Sequence, residues 1–246
     1  SVLFILGKAL SFFGAADSGY SALNLLKQVV YREGKSITTY PVSIEKQVFF
    51  LFANRMIVDA QSSRLLAEKG LYGSGYSINA IMLRSITMYA SLMANKNHLE
   101  LFWNEEENTY QVDQNFSNSF KESAIRGLAK NKFGEDAFNK SEFEKLLHGS
   151  CYAIRKYYSK KQVCADGKSE PVLMFGGFKQ ESRATAIKSI AGAIILDFLG
   201  IFFTDYQEKN RNDLIDLESC YYNIIKRVKI ETVCLEKKYK EHAIKW

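Results

Sequence analysis

Proline is almost absent from this sequence, with two in 246 residues, and only fifteen glycines punctuate it. Few breakers mean long uninterrupted elements, and no Pro/Ser-rich or charge-block linker divides the chain. One compact domain over residues 1–246 is therefore expected. Histidine is scarce too: three residues, none spaced as a zinc pair, while the four cysteines (Cys151, Cys164, Cys220, Cys234) lack C-x-x-C spacing. That pattern argues against a structural zinc site and against a disulfide scaffold, although an even cysteine count leaves one or two disulfides open. A reduced, cytoplasmic compartment is the expectation. No phosphate-binding glycine loop, nucleophile motif or repeat of solenoid period stands out, so no cofactor is expected and no reaction is named. Nor does an apolar run reach the roughly 20 residues of a membrane-spanning helix. Residues 2–16 are apolar but carry Lys8, and they read as a buried or partner-facing helix. Residues 185–206 are interrupted by Asp197, and they read as a buried core helix.

What the chain does have is a 47% share of apolar residues, enough for a large core, arranged at helical period. A short helix from Asp17 or Ser18 to about Arg32 leads into a loop. Ser43 then caps a long helix whose face of Phe49, Phe52, Ala53, Met56, Ala60, Ser63 and Ala67 is broadened by Val48, Leu51 and Val58. That width predicts a helix covered on several sides. Gly70, Gly73 and Gly75 separate it from a second helix with the stripe Ile78, Met82, Ser85, Tyr89 and Leu92. Residues 95–115 read as a helix end and a surface loop with a solvated glutamate run. Residues 116–128 read as a helix, and 141–161 as another entered through the capping box Ser141/Glu144. Around Asp166-Gly167, residues 162–179 read as a short hairpin or a packed loop. The last amphipathic helix spans about 213–245. The fold class that follows is an all-α, single-domain bundle of about seven to nine helices. Its N-terminal helices and loop lie in 1–40, its core bundle in 43–206 and its closing helix and tail in 213–246.

Arg84 sits on the shoulder of the second stripe, between Ile81 and Met88. An ever-charged, planar donor beside apolar neighbours calls for a fixed carboxylate, phosphate or backbone partner. Asp59, Glu68 and Asp197 are the acids considered, and Asp197 itself needs a partner if it is buried. His148 lies on a well-patterned helix with Glu144 one turn earlier, an arrangement suited to general acid–base work, although a lone surface histidine is more often inert. The run Arg155-Lys156-Tyr157-Tyr158-Ser159-Lys160-Lys161 mixes cations with aromatics. Single-stranded nucleic acid binding uses that mixture, and a solvated helix end explains it as well. Of the net charge of +6, the segment 121–161 holds +5, with ten basic residues against five acidic.

The stretches LLAEKGLYGSGYSINAIMLRS, LLHGSCYAIRKYYS and PVLMFGGF resemble a group of helical bacterial proteins with HEPN-like domains, over about Asn54 to Tyr206. The resemblance implies a helical bundle and an association with RNA, including metal-independent ribonucleases of defence or toxin systems. It places Arg84 on an L-R motif and His148, with Gly149 and Ser150, on an H-G-S motif. Met88 stands where relatives commonly carry an acid, and an arginine followed four to six residues later by histidine is absent. Two functions are carried forward. In the first, RNA is the partner, Arg84 binds phosphate, His148 moves protons, and Arg155, Lys156, Lys160 and Lys161 hold the strand. In the second, the chain is a non-enzymatic subunit that docks a protein through its N-terminal helix, or forms a homo-oligomer.

Overall fold

The computed structural model describes residues 16–38, 41–103, 121–133, 159–163, 167, 169–173, 181–209 and 211–228. They form seven helices and one two-stranded ribbon: α1 (Ala16–Lys35), α2 (Ile44–Glu68), α3 (Tyr72–Ala94), α4 (Lys96–Trp103), α5 (Glu122–Phe133), β1 (Ser159–Val163), β2 (Ser169–Leu173), α6 (Glu181–Glu208) and α7 (215–228). The chain is thus an all-α bundle, with the hairpin as its one departure among the described residues.

The apolar α6 is the axis of the bundle and packs against α1, α2 and α3. It is long and apolar enough to cross a membrane by length and composition, so the expectation of a too-short helix is corrected. Most of that stretch is buried inside the protein. Its inner side chains Ile195, Phe198 and Phe203 are fully covered, together with Leu26 of α1, Met56 of α2 and Met82 and Ile86 of α3. Each such burial stabilises the fold by about 1.5–3 kcal/mol before the entropy of ordering is set against it. Aromatic rings tie the helices together. Phe49 of α2 lies 4.5 Å from Phe202, Tyr89 of α3 lies 4.6 Å from Phe198, and Tyr221 of α7 lies 5.4 Å from Phe203. One continuous core joins residues of all seven helices, as a single domain requires.

Local chemistry sets the breaks. Ser43 caps α2 by accepting from the Lys46 amide. Gly70 ends α2 with φ of 76°. Its amide bonds Ala67 O at 3.1 Å while the Leu71 amide bonds Leu66 O at 2.8 Å, the paired closure of a left-handed C-terminus. Asn95 breaks the next helix and caps α4, its Oδ1 accepting from Asn97 N at 2.9 Å. Residues 96–103 are therefore helical rather than loop. Two close approaches set the layers. Gly19 of α1 lies against Gly192 of α6, and Gly75 of α3 lies against Ile187. Beside the second, the Ser63 hydroxyl donates to Asn79 Oδ1 at 2.7 Å, and Asn79 Nδ2 donates to the Ile187 carbonyl at 3.0 Å. That satisfies the polar groups buried between α2, α3 and α6.

Two further expectations change. Leu51 and Val58 do not widen the buried face of α2 but stand exposed on its outer side. Residues 159–161 are not the end of a helix but the start of β1. That strand pairs antiparallel with β2 from Ser159↔Leu173 to Val163↔Ser169, around a turn containing Gly167 at φ 78°.

Candidate nucleic-acid interface

Arg84 is exposed on α3, with Ile81 and Met88 half-buried on either side of it. The expected charge inside the helical hairpin therefore lies outside it. The acids considered for it are engaged elsewhere. Asp59 Oδ2 meets Arg55 Nε at 2.6 Å, and Glu68 Oε1 meets Lys188 Nζ at 2.9 Å. That contact holds Glu68 below the usual carboxylate range. The Tyr221 hydroxyl of α7 lies against Gly200, three residues after Asp197 on α6; burial first and the Asp197 charge second push that hydroxyl up. Asp197 is only partly covered, but its Oδ2 is sealed from solvent and accepts no hydrogen bond among the described residues. Burial pushes this carboxyl well above its ordinary range. The pairing of Arg84 with Asp197 is thus corrected: one is a surface group, and the other is a partly covered acid with one carboxylate oxygen sealed from solvent.

Lys160 and Lys161 lie on β1, in register with Val172 and Pro171. His148, Arg155 and Lys156 fall outside the described residues, as do the capping box, the glutamate run and the N-terminal apolar segment. Of the expected site residues, the described ones are therefore Arg84 on α3 and the adjacent Lys160 and Lys161 on β1. Among the described residues, no group of three metal-ligating side chains occurs.

Two other clusters emerge. The first is a charge clamp between α1, α2 and the α6–α7 turn. Glu33 is 2% exposed, and its carboxylate meets Arg211 at 2.6 Å and Lys46 at 3.3 Å. Arg211 continues to Asp213 at 2.8 Å and lies 4.9 Å from the centroid of the Tyr206 ring. The Tyr206 hydroxyl accepts from the Leu214 amide at 2.6 Å and donates to Asp213 Oδ1 at 3.2 Å. Arg211 holds Asp213 below its ordinary range. Burial works against the Arg211 charge, and its hydrogen bonds to Asp213 and Glu33 outweigh that and raise its pKa. With its charges matched pairwise, this cluster is a fastener between helices.

The second cluster is the outward face of α1. Gly19, Ala22, Leu23, Leu25, Leu26 and Val29 are buried, which forces Tyr20, Lys27, Tyr31 and Lys35 outward at helical spacing, with Asn24 half-buried among them. Arg64 of α2 reaches across, with its guanidinium 5.1 Å from the Tyr20 ring centroid, and Lys35 Nζ lies 4.5 Å from that of Tyr31. Between residues 19 and 35 the single acid is Glu33, and it points inward to Arg211. The three-and-four spacing of tyrosine and lysine was present in the sequence. What it lacked was any mark of which side of α1 is outer.

Compared with protein-family models, curated proteins and solved structures, the chain matches none.

Proposed function

We propose that this protein is a nucleic-acid-associated helical bundle. The observation that supports it is the α1 face, where Lys27 and Lys35 are exposed, the half-buried Arg64 of α2 reaches the Tyr20 ring, and the one acid of residues 19–35, Glu33, is turned inward. Cations without interleaved acids attract a phosphate backbone and give affinity that falls with salt. Arg84 is a further exposed cation, on α3. Were the protein also a ribonuclease, a 2′-hydroxyl would attack phosphorus and the 5′-oxygen would leave. His148 would carry the proton between them, and Arg84 would neutralise the non-bridging oxygens. Two assays test the reading. Fluorescence anisotropy with labelled RNA should show binding that weakens steeply as KCl rises, and absence of binding at low salt refutes it. Incubation with RNA in EDTA tests the cleavage step, which fails if His148→Ala leaves any activity unchanged.

A second reading, a subunit that docks a partner protein, is favoured by the outer side of α2. There Leu51, Val58 and Leu65 recur seven residues apart and are 54%, 57% and 56% exposed. Light scattering of the full chain distinguishes self-association from a monomer.

A further inference from the structure

The face of α1 carries more than charge. Among the described residues Tyr72, Tyr89, Tyr206 and Tyr221 are buried and Tyr76 is half-buried, whereas Tyr20, Tyr31 and, on α7, Tyr222 are 54%, 62% and 52% exposed; of these three, Tyr20 and Tyr31 share one helix face. Exposed aromatic rings flanked by cations are what unpaired bases stack on. A duplex, whose bases are already stacked, offers such rings nothing. Each ring here comes with its own cation, Arg64 for Tyr20 and Lys35 for Tyr31, and Lys27 lies between them. A base laid on either ring therefore finds a positive charge within side-chain reach of its phosphate. Eleven residues of helix separate the two rings by about 16 Å, which about five stacked nucleotides cover, or fewer if extended.

We propose that the outer face of α1, with Arg64 of α2, binds a single strand of nucleic acid by stacking unpaired bases on Tyr20 and Tyr31 while Lys27, Lys35 and Arg64 take its phosphates. This rests on the nucleic-acid reading above and narrows it to a strand and a site. Neither tyrosine belongs to the core cluster, so replacing them leaves the fold in place, and a circular-dichroism melt of each variant checks that.

The test measures anisotropy of the full chain with three fluorescein-labelled probes of about 10 nucleotides, a length within single-strand site sizes: an oligouridylate, an abasic strand of equal length and a duplex. The oligouridylate should bind most tightly. Tyr20→Ala and Tyr31→Ala should each weaken it about tenfold or more, while Tyr20→Phe and Tyr31→Phe bind as the parent does. Lys27→Gln and Lys35→Gln should each lower the slope of log K against log salt by about 0.7. Equal binding of all three probes, or no loss in the alanine variants, overturns the stacking site and leaves the general nucleic-acid reading standing. Failure of every probe to bind at low salt overturns both.

Discussion

Replacing Arg211 by methionine removes one of the two cations that Glu33 meets, the other being Lys46, and the structure sets the size of the effect. Taking one partner from a fully buried pair costs about 3–5 kcal/mol, because the remaining charge is left in a poor solvent. Glu33 is 2% exposed, but Arg211 is one-third exposed and Lys46 stays 3.3 Å away, so the full figure does not apply. Losing the contact with the Tyr206 ring adds about 0.5–1 kcal/mol. The expected destabilisation is therefore about 2–3 kcal/mol, or a fall in Tm of about 5–10 °C for a domain of this size. An internal control lies one residue before Glu33. Arg32 bonds Asp216 with both nitrogens, at 2.9 and 2.6 Å, yet the side chains are 46% and 54% exposed. Arg32→Met should cost under about 1 kcal/mol, since solvent screens that pair. The assay is urea denaturation of the parent, both single variants and the double variant Glu33→Gln/Arg211→Met. In the cycle Glu33→Gln should recover much of the loss, because a neutral amide no longer needs the guanidinium. The separate Arg211–Asp213 hydrogen bond depresses the Asp213 pKa, so its share of stability is present above the unfolded value near 3.8 and is lost as pH falls through the lower folded value. Arg211→Met should flatten that acid limb. Equal costs for Arg211→Met and Arg32→Met would refute the buried-clamp reasoning.

Asp197→Asn should stabilise the fold at neutral pH. Its carboxyl keeps a raised pKa through burial, so between about pH 4 and that folded value the unfolded chain loses a proton the folded one retains, and stability falls as pH rises. In urea melts the gain from the amide should be larger at pH 7 than at pH 4, and a gain independent of pH would sink this account. Gly192→Ala places a Cβ on the Gly19 backbone, forcing α1 and α6 apart. The expected loss is about 1–3 kcal/mol, even though alanine is the better helix former. Gly127→Ala in α5 meets nothing within 4 Å and should instead stabilise by about 0.5–1 kcal/mol. If thermal melts of the two variants shift the same way, the close approach of α1 to α6 is not what holds glycine at residue 192.

The helix class, the capping serine at Ser43, the break at Gly70 and the apolar runs of α3 and α6 were legible in the sequence, because each is decided by neighbours within a turn or two. Period alone put Met82, Tyr89 and Leu92 on one face, and all three are buried. What period does not say is how wide the covered sector is, since that depends on which helices come to lie alongside. Leu51 and Val58 fit the stripe of α2 and ended outside it, and Arg84 fitted the shoulder of α3 and ended in solvent. Around Gly167 the hairpin was one of two readings of residues 162–179, but the start of its first strand, Ser159–Lys161, escaped for a related reason. Its partner Ser169–Leu173 supplies the hydrogen bonds, and the helical pattern upstream read straight through it. Glu33 and Arg211 are 178 positions apart, so no local pattern announces their pairing. By itself the sequence determined that this chain is helical, apolar within and mildly basic, since propensity, composition and spacing are properties of short segments. Only the tertiary structure decided that Glu33 turns inward to its clamp while Tyr20, Lys27, Tyr31 and Lys35 turn outward, because facing is settled by where α6 lies, and that is a property of the whole core.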